Sequence, residues 1–345
     1  MQRLLARPHY LFLLFAMLFG LVFMALTPPL AAGDEKNHYQ RLATIASLHV
    51  LNERAMVPAG ESRFINISVQ FFLDFMLDGR HYTQQQYQYL DKITLEKNSF
   101  VPIEPNYITV HHPFCYIPQL VVFWLGEALG LKPITLLYLA RFAGLAVSIM
   151  LTFFAIKRMP SHRYAMAALM LLPTITFFRS HLNADSVTQG LSFLFIAYTL
   201  QEITAPGKIK VSAILWLAFM AWILAQCKST YFVLLFLTLA IPARRFNSIP
   251  SQIMALTGII LPGIVCSMIW MVIIKNTYFT GIHYHTWGGE VMPDQQTAFI
   301  MQHPLTFLKI LARTVFATSL VPECIVGILG DFTWQTQLSP VSCGI

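Results

Sequence analysis

The chain has 345 residues, of which 56% are hydrophobic and 11% are charged, and its mean hydropathy is +0.59. Because soluble domains carry about 25% charged residues, this composition excludes the soluble and disordered classes. The net charge of +7 does not indicate a nucleic-acid partner, since many of the cations lie in short loops between apolar segments, as membrane topology requires. The composition therefore predicts a polytopic protein whose surroundings are the lipid bilayer.

The first apolar segment covers residues 10–26, with Arg3 and Arg7 before it and two prolines after it. We interpret residues 1–32 as a first transmembrane helix that is not cleaved, because the segment is long for a signal peptide and further spans follow. Cleavage after the sequence Leu30-Ala31-Ala32, which resembles a signal-peptidase site, is the alternative.

Residues 33–133 are predicted to form a large outer loop, since residues 33–112 are polar and hold most of the acidic residues. The apolar stretch 113–131 that follows contains Pro118, Gly126 and Glu127. Such a stretch predicts a helix lying at the membrane interface rather than a span.

Six further spans are predicted within residues 134–274, at 134–156, 164–178, 186–200, 211–226, 231–241 and 253–274. With a cytoplasmic N-terminus, the loops 157–163, 205–210 and 242–250 face the cytoplasm and hold most of the loop cations, whereas the outer loops keep Arg179 and Lys228. This asymmetry predicts an all-α helical bundle with about seven spans plus interfacial helices. If residues 113–131 formed an eighth span, every later loop would lie on the opposite side of the membrane.

Residues 275–345 are predicted to be a final outer segment with an amphipathic helix near 304–320, which carries Lys309 and Arg313. The pair His283-x-His285 with nearby carboxylates is a weak metal-site hypothesis, because no second spaced ligand pair accompanies it. Of the acidic residues, only Glu202 falls on the cytoplasmic side in this scheme. If the protein catalyses a reaction, we therefore expect its active site on the side of the membrane away from the cytoplasm.

The first candidate site follows the first span directly, where Asp34, Glu35 and His38 occur within about one helical turn. If a helix begins near Asp34, its side chain shares a face with His38 and Arg41. A carboxylate there can take a proton from a hydroxyl or bind a divalent cation beside a phosphate. Spacing alone favours the other interpretation, in which Asp34 is the N-cap of the helix.

Three further candidates are charged. Arg141 lies inside a predicted span, where it needs a partner or a water-filled cavity. Asp185 begins a span from the outer side, a position that the helix dipole also explains. Lys228, followed by Ser229, Thr230 and Tyr231, lies at an outer turn and suits a lipid-linked phosphate, with snorkelling as the alternative.

The order of these pieces resembles the bacterial membrane family called domain of unknown function 2142, which is grouped with GT-C-type glycosyltransferases. The residues that carry the resemblance are Gly33-Asp34-Glu35 with His38, the segment 111–118, Arg141, Asp185-Ser186-Val187-Thr188, Lys228-Ser229-Thr230-Tyr231, and 293–304. The resemblance implies a GT-C-like fold in the inner membrane, a polyprenyl-phosphate sugar donor and a glycan or lipid acceptor.

The resemblance also implies roles for single residues. The acid of the first outer loop is the general base in GT-C enzymes, so Asp34 becomes the expected base and Glu35 its neighbour or a metal ligand, with His38 beside them. Arg141, Asp185, Lys228 and Tyr231 become the expected contacts to the phosphate or the donor. Some GT-C members use a metal, which leaves a divalent cation open and names no other cofactor.

The expected function is therefore transfer of a sugar in cell-envelope glycan assembly. A transporter or flippase for lipid-linked sugar or polysaccharide is the second hypothesis, and it predicts a continuous polar cavity across the bilayer. The family pattern would continue into further spans after Ile345, so a truncated, non-catalytic remnant is the third.

Overall fold

The computed structural model describes residues 7–51, 55–78, 82–103, 107–278, 285–286, 289–290, 292–317 and 320–329. These residues are almost entirely helical, which confirms the predicted all-α class. They fall into two compact units. The first holds the chain up to Tyr278 without Leu172–Thr174, and the second holds Leu172–Thr174 with the segment from Phe279 onward.

The helices up to Tyr278 are α1 (Pro8–Leu26), α2 (Glu35–Ala46), α3 (Ala59–Asp78), α4 (Gln84–Asp91), α5 (Ile117–Leu129), α6 (Pro133–Arg158), α7 (Arg163–Leu169), α8 (Pro173–Arg179), α9 (Asp185–Thr204), α10 (Val211–Cys227) and α11 (Ile249–Tyr278). Short 3-10 helices cover Tyr107–Val110, Pro113–Tyr116, Ser229–Ala240 and Ala243–Arg245. Strands β1 (Met56–Pro58) and β2 (Phe100–Pro102) pair antiparallel, with Val57 opposite Val101.

Three helices among the described residues are long and apolar enough to cross a membrane: α1, α6 and, within α11, Ile249–Ile274. Helix α10 and the 3-10 helix Ser229–Ala240 are apolar but shorter. A 3-10 helix rises about 2.0 Å per residue. The 12 residues of Ser229–Ala240 therefore reach further than an α-helix of the same length. The count of seven spans stays a prediction.

The predicted span 164–178 differs from the structure, which has two short helices there, α7 and α8. The break between them covers Met170 to Leu172 and ends at Pro173. Proline has no amide hydrogen to donate and disfavours helical backbone in the residue before it. The apolar composition of the segment concealed this break.

The interfacial stretch 113–131 contains a 3-10 turn and then α5, which ends at Gly130 in the left-handed region at φ 72°. The 13 residues of α5 rise about 20 Å, less than the hydrocarbon thickness of a bilayer. This length agrees with a helix that does not cross.

The core of the first unit is built around α6, which packs against both α1 and α9. Close approach of these helices depends on glycine. A Cβ atom at Gly20 would lie 2.6 Å from Leu145, and one at Gly190 would lie 2.9 Å from Leu151. Small residues at such crossings let membrane helices pack backbone to backbone. This packing holds α1, α6 and α9 together within the first unit.

The second unit contains strands β3 (His285–Thr286) and β4 (Gly289–Glu290) and helices α12 (Pro293–Gln302), α13 (Pro304–Ala317) and α14 (Leu320–Leu329). Helix α13 starts at the predicted amphipathic segment and carries Lys309 and Arg313 one turn apart. His283 and the side chain of His285, on which the weak metal-site hypothesis depends, lie outside the described residues.

Candidate functional site

A buried ion pair joins the start of α2 to the N-terminal half of α6. Arg141 donates from Nε to Glu35 Oε1 at 2.8 Å and from Nη2 to Glu35 Oε2 at 2.6 Å. Both side chains are excluded from solvent. The two parallel bonds are the bidentate geometry that makes an arginine–carboxylate pair strong and directional.

The remaining donors of Arg141 hold the chain that leaves α1. They reach the carbonyl oxygens of Met24 at 3.1 Å, Thr27 at 2.9 Å and Pro28 at 2.9 Å. With the two bonds to Glu35, every one of the five guanidinium N–H groups has an acceptor. The predicted contact between Arg141 and a donor phosphate stays a prediction, and this geometry gives it no support.

Glu35 also fixes the loop between α8 and α9, because its Oε1 accepts a hydrogen bond of 2.9 Å from the amide of Leu182. Burial alone would raise the pKa of Glu35, but the charge and hydrogen bonds of Arg141, with smaller contributions from His181 and the Leu182 amide, lower it. Glu35 is therefore an ionised anchor with its oxygens engaged, an arrangement that favours a structural role over metal ligation.

Asp34 occupies the N-cap position of α2, but its side chain makes no capping hydrogen bond to the helix. The side chain is exposed. The N-cap interpretation that spacing favoured is therefore not the arrangement in the structure. The anchored Glu35 next to it fixes the backbone from which the Asp34 carboxylate projects.

A small pocket of about 70 Å³ lies beside the start of α2 and the loop before α9. This volume is enough for a few water molecules or for one polar group of a ligand. Its polar lining comprises Asp34, Glu35, His38, His181, Asn183 and Asp185. Four of these six residues, Asp34, Glu35, His38 and Asp185, were candidates from the sequence. Asp185 comes from a segment about 150 positions after the other three.

Lys228 is brought to the site by its ion pair with Asp185, with Nζ 2.8 Å from Oδ1 and about a third of each side chain exposed. Burial lowers the pKa of Lys228, but Asp185 raises it by more, so the amine is charged. Asp185 does not cap α9, because Asn183 Oδ1 accepts from the Ser186 amide at 2.8 Å instead. The Asp185 carboxylate is thus paired with Lys228, and its place in the first turn of α9 also agrees with the helix-dipole interpretation.

Tyr231 lies one 3-10 turn after Lys228, and its amide donates to the Lys228 carbonyl at 2.9 Å. The phenol is not part of the pocket lining. Its predicted role as a donor contact stays a prediction.

His38 faces aromatic neighbours. Its Nδ1 lies 2.5 Å from the hydroxyl of Tyr116, and its ring stacks on His111 with centroids 5.9 Å apart. Burial lowers the pKa of His38 to about 3, with smaller effects of His111 and Lys228, and burial lowers that of His111 to about 4. His38 is thus a neutral ring at physiological pH, with one N–H and one accepting nitrogen.

His181 is a site residue that sequence reasoning missed. Its Nδ1 lies 2.7 Å from the carbonyl oxygen of Phe177. The other ring nitrogen, Nε2, is buried and has no hydrogen-bond partner among the residues that the structure describes. The signal available in the sequence was its place two residues before Asn183, in the loop that leads to Asp185.

Metal binding is not favoured by the donor set of this pocket. Within the described ranges, no group of three or more His, Cys, Asp or Glu side chains is placed to hold an ion. Glu35 is bound by Arg141 and Asp185 by Lys228. The carboxylates of this pocket that are paired with cations are therefore poor candidates for the predicted divalent cation.

Membrane-length apolar helices, with a polar pocket beside the end of the first of them, define an all-α membrane protein. The chain belongs to the family described as predicted membrane protein (DUF2142), whose model matches residues 17–338. The resemblance found in the sequence is thereby confirmed at the level of the family, and the link to GT-C enzymes stays a prediction. No curated protein and no solved structure matches the chain.

Proposed function

We propose that this protein is an integral-membrane glycosyltransferase of the bacterial inner membrane. It moves a sugar from a polyprenyl-phosphate donor to a glycan or lipid acceptor in cell-envelope glycan assembly, at the outer face of a GT-C-like bundle of about seven spans. The observation that carries the proposal is the shared pocket, where Asp34 and Asp185 lie together and Lys228 is paired to Asp185.

The place of the pocket suits a donor that is part lipid and part sugar. Residues 32–38 follow the end of α1 by only a few positions, so they stand where a membrane helix meets water. A polyprenyl tail lies in the bilayer while its phosphate and sugar remain at the interface. A site at the end of α1 can contact both the polyprenyl tail in the bilayer and the phosphate and sugar at the interface.

In the proposed reaction, the Asp34 carboxylate takes the proton of an acceptor hydroxyl. The hydroxyl oxygen then bonds to the anomeric carbon of the donor sugar. The bond from that carbon to the phosphate oxygen breaks, and its electron pair leaves with the polyprenyl phosphate. Lys228 stabilises the charge that develops on this phosphate, since an ammonium has three N–H donors and Asp185 engages one of them.

Glu35 and Arg141 act in this proposal as positioning residues. Their pair joins α1, α2, α6 and the loop before α9 around the pocket. General-base catalysis depends on holding the base within hydrogen-bond reach of the proton, which a rigid support provides. His38, neutral and bonded to Tyr116, closes the wall beside Asp34.

The test is sugar transfer in isolated membranes with labelled polyprenyl-phosphate sugars. Asp34→Asn should abolish transfer at equal expression. Asp91→Asn is the matched control, because Asp91 is an exposed carboxylate paired to Lys132 and takes no part in the pocket. Transfer that survives in Asp34→Asn would remove Asp34 from the mechanism. Absence of transfer in the wild type with every donor offered would favour translocation of lipid-linked sugars instead.

A further inference from the structure

His181 presents one ring nitrogen whose chemistry is fixed by its neighbour. Nδ1 lies 2.7 Å from the Phe177 carbonyl oxygen, and a carbonyl oxygen only accepts hydrogen bonds. The same nitrogen lies 3.3 Å from Ser180 Oγ, whose hydroxyl already donates to the Phe177 carbonyl at 2.7 Å, so the tautomer with its hydrogen on Nδ1 suits both neighbours. A neutral imidazole has a single N–H, so Nε2 carries a lone pair and accepts. Burial lowers the pKa of His181 to about 4, which keeps the ring neutral at physiological pH.

The accepting nitrogen, Nε2, is buried without a hydrogen-bond partner among the described residues. His181 is 2% exposed, and Nε2 has no hydrogen-bond partner in the part of the chain that the structure describes. A buried polar atom without a partner costs about 1–3 kcal/mol, and native proteins avoid it unless a ligand or ordered water completes the bond. Since His181 lines the pocket, we expect a hydrogen-bond donor for Nε2 to bind there.

The groups around His181 indicate which kind of hydrogen-bond donor binds to Nε2. A lone pair on nitrogen repels the oxygens of a phosphate, which accept hydrogen bonds and carry negative charge. Of the two cations near the pocket, Arg141 is fully engaged by Glu35 and backbone carbonyls, and Lys228 is not among the residues that line the pocket. A neutral hydroxyl both donates to Nε2 and fits a pocket of about 70 Å³.

We propose that His181 Nε2 binds a hydroxyl of the carbohydrate that enters this pocket, so that the pocket is a sugar-hydroxyl subsite with His181 as a substrate-binding residue. The inference rests on the proposed function, because it assigns the sugar acceptor to the part of the pocket that His181 lines. His181 then orients the acceptor while Asp34 takes its proton.

The experiment measures the melting temperature of the purified full-length protein with methyl α-glucoside, methyl α-mannoside and methyl α-galactoside as probes, and with inorganic phosphate as the comparison. At least one glycoside should stabilise the wild type. His181→Phe keeps a ring but has no acceptor, so it should weaken that glycoside's binding about tenfold. Any shift caused by phosphate should be unchanged in His181→Phe.

Two further variants make the result decisive. His181→Gln restores an accepting oxygen and should recover part of the glycoside response, which separates loss of the acceptor from loss of folding. His49→Phe, at a histidine outside the pocket lining, should leave the response unchanged. A wild type that no glycoside stabilises, or a response that both His181 variants keep in full, would overturn the proposal and leave water as the occupant.

The outcome is separable from that of the transferase test. If Asp34→Asn abolishes transfer and His181→Phe still responds to glycosides like the wild type, the transferase stands and the sugar subsite falls. If His181→Phe loses the glycoside response while Asp34→Asn transfers normally, the sugar subsite stands and the proposed catalytic mechanism falls.

Discussion

The guanidinium of Arg141 lies parallel to the carboxylate of Glu35, with Nη2 2.6 Å from Oε2 and Nε 2.8 Å from Oε1. The pair is sealed from water, and each partner also holds backbone of a third segment. A charge this deep in a membrane protein is tolerated only with a partner. The pair therefore explains why a helix as apolar as α6 can carry an arginine.

The contributions of these two side chains to stability should be strongly coupled. Arg141→Met and Glu35→Gln should each lower the free energy of unfolding by about 3–5 kcal/mol, because the other group is left buried and unpaired. The double variant should lose less than the sum of the two. Thermal unfolding of the four purified proteins measures the coupling, and strictly additive losses would show that the two side chains do not interact.

Replacing Asp34 should have little effect on folding. An N-cap substitution typically costs about 1 kcal/mol, but the Asp34 side chain makes no capping hydrogen bond. Asp34→Ala should therefore melt close to the wild type. Thr83→Ala is the matched comparison, since Thr83 forms a capping box with Gln86 at the start of α4 and should show the loss. Equal losses in both variants would restore the N-cap interpretation of Asp34.

Lys228→Gln should act on the donor rather than on stability. Its ion pair with Asp185 is about a third exposed, so its loss should change stability by at most about 1 kcal/mol. The KM for the polyprenyl-phosphate donor should rise severalfold, because the phosphate loses its cation. Lys132→Gln removes a comparable exposed pair, 2.7 Å from Asp91, and should leave KM unchanged. An unchanged KM in Lys228→Gln would contradict the phosphate role.

Glu61 in α3 should make stability depend on pH. Burial raises its pKa from 4.5 to about 8, the neighbouring Tyr39 hydroxyl offsets part of this rise, and Glu127 adds to it. Because the folded-state pKa is above that of the unfolded chain, the contribution is complete below about pH 4.5. It is lost as pH rises through about 8. Melting temperatures across this range should fall in the wild type and stay flatter in Glu61→Gln. Parallel curves would show that Glu61 is not the source.

Sequence reasoning predicted that Asp34 and Asp185 lie on the same side of the membrane, and in the structure both line one pocket together with His38. It also predicted that Arg141 needs a partner. The identity of that partner was out of reach, since Glu35 lies 106 positions away and hydropathy says nothing about pairing. The break at Pro173 was readable from proline chemistry, but the apolar composition of its segment masked it.

His181 shows a different limit. Its importance depends on which of two ring nitrogens finds a partner, and that is decided by the backbone of Phe177 and by burial in the folded loop. A single histidine in a sequence carries no such information. Asp34 illustrates the converse, because its residue type and position suggested a helix cap and only the geometry of α2 shows that its side chain makes no capping hydrogen bond.

Arg141 lies far along the chain from the groups that it binds, and this separation affects the order in which the site forms during synthesis. During synthesis, the carbonyl groups at the C-terminal end of α1 and the Glu35 carboxylate are made before their partner Arg141, which is synthesised more than a hundred residues later. The Leu182 amide, 147 positions after Glu35, arrives later still. The pocket therefore cannot exist on a nascent chain that carries α1 alone, and insertion of α6 and arrival of the loop before α9 become the steps that complete it.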